Sequence, residues 1–138
     1  MPFYYNRTVR LSDTDAAGVV YFAQVLVMCH EAYEESLLTA GINLNKLVRD
    51  TNIAIPIVHS CADYFHPILW GDKLSIQLQT QQLRENEFKI NYQIVSSSSD
   101  NLLAKATTRH VCIATIGRKR ISIPAGIIQW LMLYSNPI

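Results

Sequence analysis

The hydrophobic pattern of this chain changes period near Thr51, and that change limits the fold more than any other feature. Before it, over residues 23–40, apolar positions recur at spacings of three and four: Phe22, Leu26, Cys29, Tyr33 and Leu37, widened by Val25, Met28, Ala32 and Ser36. Gln24, Glu31, Glu34 and Glu35 fall on the other side, as on an amphipathic helix. Gly41 follows the last periodic residue, where a helix commonly ends. After Thr51 the pattern alternates: Ile53, Ile55 and Ile57; Leu74, Ile76, Leu78 and Thr80; Phe88, Ile90, Tyr92 and Ile94. Alternation of that kind marks strands with one buried face.

These runs predict the order strand, loop, long helix, then about four antiparallel strands. The first strand covers residues 4–11 and a short second helix residues 44–49. A strand from residue 53 toward Phe65 carries an irregularity at Pro56 and ends at His66-Pro67. Arg84-Glu85-Asn86-Glu87 and the polar run at 96–101 join hairpins, and a long last strand covers residues 102–116. Pro124 opens a short apolar tail, expected to be helical to about Tyr134 and to pack on the sheet or on a partner. One helix is thin cover for such a sheet, so a second copy of the chain is expected to bury the remainder.

With 138 residues, the chain is long enough for one domain, 1–138, with 124–138 as a short tail, and too short for two. Hydrophobic residues make up 49% and charged residues 17%, which excludes a disordered chain. A formal net charge of +1 gives no reason to expect nucleic acid. No segment reaches the ~20 apolar residues of a membrane span, and the first residues do not read as a signal peptide. Cys29, Cys61 and Cys112 are an odd count at wide spacing. They read as reduced core residues of a cytoplasmic protein, with no metal-ligand spacing.

Asp13-Thr14-Asp15-Ala16-Ala17-Gly18 lies directly ahead of the long helix. An acid there is often only a helix cap. It also suits acyl transfer: a carboxylate attacks a carbonyl or activates water, and the free N–H groups of a helix N-terminus hold the developing oxyanion. Gly18 lets the chain turn sharply and lets a substrate approach the backbone. Such chemistry calls for no cofactor and no metal.

The stretch DTDAAGVVYF at 13–22 resembles the signature of the 4-hydroxybenzoyl-CoA thioesterase family, whose fold is the hotdog, a curved antiparallel sheet wrapped around one long helix. VVYF, then MCHEAYE at 28–34, PIVHS at 56–60, GDKL at 71–74 and RHVCIA at 109–114 are similar to the branch of that family acting on a dihydroxynaphthoyl thioester of quinone synthesis. The resemblance covers residues 4–116. It implies an α+β hotdog domain, an acyl-CoA substrate, and a homo-oligomer of paired dimers with the pocket between subunits. By the same resemblance Asp15 is the catalytic acid, the Phe22 amide is the oxyanion donor and Gly18 is the family's glycine. Asp13 would hold the loop through hydrogen bonds. Short-chain relatives carry histidine after VVY, where this chain has Phe22.

Other residues attach to this reading. Tyr21 and His59 are candidates to line the acyl pocket. Arg118, Lys119 and Arg120 suit coenzyme A phosphates, though a solvated strand end explains them as well. Arg84 sits in a turn where the family places cations. His30 is no partner for Cys29, because adjacent helical residues point about 100° apart. His110 reads as a hydrogen-bonded strand residue, His66 as surface, and Glu31 with Glu35 as a solvated helix face. The rivals are a 4-hydroxybenzoyl-CoA or short-chain thioesterase and a non-catalytic acyl-binding module.

Overall fold

A computed structural model describes residues 1–135. Its centre is α1, Phe22–Thr39, lying along the inner face of a five-stranded antiparallel sheet. The sheet order is β1 (Phe3–Thr8), β4 (Lys73–Arg84), β5 (Glu87–Ser96), β6 (Leu102–Val111) and β3 (Ile57–Tyr64). The elements between are α2 (Leu44–Thr51) and β2 (Ile53–Ala54). After β6 come β7 (Ile113–Ala114), which pairs with β2, and α3 (Ala125–Leu133). This is the α+β hotdog arrangement that the resemblance implied.

Alternation sets the faces of the central strands. Leu74, Ile76 and Leu78 of β4 and Phe88, Ile90, Tyr92 and Ile94 of β5 are buried against α1. The helix meets them with Val25, Met28, Cys29, Ala32, Tyr33, Ser36 and Leu37. Phe22 is not in that stripe: it is 60% exposed at the helix start. The expected strand through Pro56 is two strands. A proline has no N–H for a ladder, and here its carbonyl instead accepts the Val111 amide.

The tail is helical from Ala125, as expected, and it packs on its own chain; residues 136–138 lie outside the described residues. Trp130 is buried beside Phe88 and Tyr33, and its indole N–H donates to Ser36 Oγ at 3.0 Å. Thr80 Oγ1 donates to the Leu131 carbonyl at 2.6 Å. The tail thus covers the end of the inner face where β4 turns into β5, the first of the two packings, sheet or partner, that the sequence allows. The β3 edge stays open: Ile57, Val58 and Tyr64 are all exposed. Cys29 and Cys112 are core residues, but Cys61 is exposed, because it points to the outer face of this edge strand.

Candidate active site

The loop before α1 is a small closed turn. Thr14 and Val20 bridge across its base, the Asp15 amide donates to the Val19 carbonyl, and the Gly18 amide donates back to the Asp15 carbonyl. Gly18 sits at φ +82°, the left-handed region where a side chain is costly. Within the turn, Asp15 Oδ1 accepts the Ala17 amide at 2.9 Å. Its other carboxylate oxygen has no protein partner among the described residues.

Asp13 behaves differently, although it is only two residues away. It is 2% exposed, and its carboxylate accepts from Arg7, the Arg10 amide and Gln24 Nε2. Burial alone would raise its pKa, but the Arg7 hydrogen bonds, the Arg10 amide, the Arg7 charge and Gln24 together hold it below the ordinary carboxylate value. Asp13 is therefore a fixed structural anion and Asp15 an available one.

Asp15 lines a cavity of about 440 Å³ with Val19, Val20, Tyr21, Phe22 and Val25 on one side and Tyr64, Phe65, His66, Pro67 and Ile68 on the other. The two sides meet through backbone: the Val20 amide donates to the Ile68 carbonyl, and Val19 bridges Leu69. The Tyr64 hydroxyl donates to the Phe22 carbonyl at 2.9 Å, tying the end of β3 to the first residue of α1. No side chain caps α1, and the Phe22 and Ala23 amides have no protein acceptor among the described residues. The cavity thus joins a carboxylate, a helix N-terminus with free donors and an aromatic wall. Those are the parts that acyl transfer needs.

Of the residues singled out in the sequence, Asp15, Gly18, Tyr21 and Phe22 come together here. Gly18 shapes the turn and does not itself line the cavity. His59 does not join them. It pairs with Arg109 on the face of β3 turned away from α1, so it is outside this cavity. The wall contains Tyr64 and His66 instead. His66 is exposed, as its place before Pro67 suggests, and it also borders the cavity that holds Asp15. No local pattern marks it, because it reaches the loop only through the Val20–Ile68 pairing.

The candidate phosphate cations lie at the other end of the sheet. Along β6, Ala104 faces Tyr64 and Val111 faces Glu87, a separation of about 23 Å at about 3.3 Å per residue. Arg84 pairs with Glu87 in the β4–β5 hairpin at that far end. Arg120 is no free cation: it and Arg109 both bind the buried Glu87, at 3.3 and 3.0 Å. Arg118 and Lys119 are exposed in the neighbouring turn. Within one chain, then, these four residues do not border the Asp15 cavity.

Glu31 is not a solvated face residue. Arg7 Nε donates to its carboxylate at 2.6 Å, and the Tyr5 hydroxyl donates at 3.1 Å. His110 is hydrogen-bonded as expected, with Nε2 2.8 Å from Thr108 Oγ1, but it is fully buried and stacked on Phe88, away from the cavity. Burial, helped by His30, pushes its pKa down to about 4, so it is neutral at pH 7.

The chain is similar to known proteins along most of its length. A model of the thioesterase-like superfamily matches residues 9–131. A 1,4-dihydroxy-2-naphthoyl-CoA hydrolase of Gloeothece citriformis is 56% identical over 92% of this chain and 90% of its own length. A hydrolase of the same name from Crocosphaera subtropica is 52% identical over 92% of this chain and 93% of its own. The crystal structure of a 1,4-dihydroxy-2-naphthoyl-CoA thioesterase from Synechocystis superposes with a TM-score of 0.93 at 40% identity, covering 99% of this chain and all of that one.

Proposed function

Since this chain belongs to the thioesterase-like superfamily, we propose that it hydrolyses 1,4-dihydroxy-2-naphthoyl-CoA to 1,4-dihydroxy-2-naphthoate and coenzyme A, with Asp15 as the catalytic acid. The observation that carries the site is the single cavity holding both Asp15 and the uncapped start of α1. Similarity over nearly the whole chain to hydrolases of that name supports the substrate. The product acid would feed phylloquinone synthesis.

In this reading the thioester carbonyl lies between the Asp15 carboxylate and the first amides of α1. The free carboxylate oxygen supplies the electron pair, directly or through a water it deprotonates. A carbon–oxygen bond forms, the carbonyl oxygen gains charge, and the Phe22 amide holds it with the aid of the helix dipole. The carbon–sulfur bond then breaks and coenzyme A leaves as the thiol. On the water route the thiolate takes the proton that Asp15 removed. On the direct route it takes a proton from solvent, after which water hydrolyses the acyl–Asp15 anhydride to release the acid and restore the carboxylate. Tyr21, Phe22, Tyr64 and Phe65 give an aromatic acyl group a flat apolar surround. A second copy along the free β3 edge belongs to the proposal, because Val58, Tyr64 and Phe65 stay exposed on and beside that edge. Such a partner is the source of phosphate cations that one chain does not bring to its own cavity.

The test is thiol release from dihydroxynaphthoyl-, 4-hydroxybenzoyl-, benzoyl-, acetyl- and palmitoyl-CoA, on protein sized by analytical ultracentrifugation. The expected result is a preference for dihydroxynaphthoyl-CoA by a dimer or tetramer. A preference for an aliphatic or simple benzoyl thioester would replace the substrate, and a fully active monomer would remove the partner.

A further inference from the structure

The oxygen that Asp15 presents is only as well placed as the loop that carries it, and that loop is tied down from outside the cavity. Asp13 Oδ2 accepts Arg7 Nη1 at 2.6 Å and the Arg10 amide at 2.8 Å, while Oδ1 accepts Arg7 Nη2 at 3.1 Å and Gln24 Nε2 at 3.0 Å. The Asp13 backbone carbonyl accepts the Tyr21 amide at 3.0 Å. One residue therefore closes the loop at both ends.

Arg7 extends that closure to the helix. Its Nε and Nη2 donate to the two Glu31 oxygens at 2.6 and 3.3 Å. A single guanidinium thus joins β1, the loop and α1, the elements that set where Asp15 stands relative to the first amides of α1. Arg7 borders neither Asp15 nor the cavity. Exposed ion pairs contribute little, but the Arg7 side chain is 10% exposed and that of Asp13 2%. Removing the cation would leave a buried carboxylate unpaired, which is costly.

We propose that Arg7 is a positioning residue for the thioester hydrolysis: its bidentate pair with Asp13 and its bonds to Glu31 hold the Asp15 loop in register with the start of α1. The proposal rests on Asp15 carrying the reaction. It also makes lysine a poor substitute, since one ammonium cannot reproduce a planar fork bound to two carboxylates.

The experiment is steady-state hydrolysis of dihydroxynaphthoyl-CoA by the wild type, Arg7→Met, Arg7→Lys, Arg7→Met with Asp13→Asn, and Asp15→Asn, each corrected for folded protein. Arg7→Met is expected to lower kcat about a hundredfold, the scale of an ångström-sized misplacement, with KM unchanged. Arg7→Lys should fall between it and the wild type. The double variant should recover part of the loss, because asparagine leaves no buried charge to neutralise. An unchanged kcat in folded Arg7→Met, or a loss confined to KM, overturns the proposal. Should Arg7→Met fail to fold, Arg7→Lys and Gln24→Ala carry the same test: lowered kcat at constant KM supports it, and unchanged kcat in both overturns it. Full activity in Asp15→Asn removes the reading of Asp15. An inactive Asp15→Asn beside a fully active Arg7→Met removes only the role of Arg7.

Discussion

At one end of α1, Phe22 is exposed, and among the described residues the first amides have no cap and a turn with Gly18 at φ +82° presents a carboxylate oxygen without a protein partner. At the other end of the same helix, Ser36 and Leu37 are buried, Trp130 donates to Ser36, and the tail helix closes over the sheet. The first end leaves backbone donors and one carboxylate oxygen without a protein partner among the described residues, in an exposed cleft that a ligand can reach. The second satisfies its polar groups and fills its volume. The two ends differ in packing: buried contacts are concentrated where α3 lies, and the loop end is open, as the proposed hydrolysis requires.

If that division holds, damage at the packed end should cost stability and leave the chemistry intact. Trp130→Ala removes a buried ring and a buried hydrogen bond, and should destabilise the chain by about 3–5 kcal/mol. Chemical denaturation measures the loss, while kcat per folded molecule should stay at the wild-type value. A large fall in kcat without loss of stability would show that the packed end also carries chemistry.

A smaller effect sharpens it. His110 lies at the packed end with a pKa of about 4, below the ordinary 6.5. As pH falls from 6.5 toward 4, the unfolded chain takes up a proton that the folded chain refuses. Stability therefore declines across that window, by about 3 kcal/mol at its foot, and is insensitive to this group above it. Urea unfolding of the wild type and His110→Phe at pH 7.5 and 4.5 measures the term. The wild type should lose more stability than the variant; equal losses would show that His110 titrates normally.

The sequence was most legible where structure is local. Helical spacing located α1 within one residue at each end, and alternation located β4 and β5, while the single strand expected over 102–116 is β6, ending at Val111, and the short β7. The loop stood out because Asp15, Gly18, Tyr21 and Phe22 lie in one short run of the chain, and their proposed roles come from the family resemblance that this run carries. What was hidden depends on pairing between distant segments. The strand order puts β3 at an edge, which leaves the outward-facing Cys61 exposed, and alternation carries no information about edges; His59 faces outward through a register that shifts between Ile57 and His59. Glu31 looked solvated because its partner, Arg7, lies 24 residues earlier. His66 looked like surface because its wall forms only when Val20 bonds Ile68. The tail was recognisable as a helix, but its length and apolar character were equally compatible with packing on a partner.

The most direct measurement is kcat for dihydroxynaphthoyl-CoA, with thermal stability, in Asp15→Asn. Asparagine keeps the size of the side chain and an oxygen for the Ala17 amide, but it cannot supply the carboxylate's electron pair. The expected result is a fall of about 10²–10⁴ in kcat, the span of a positioned acid or base, with Tm unchanged. Activity at the wild-type level would contradict it and leave the loop as no more than the lead-in to a helix.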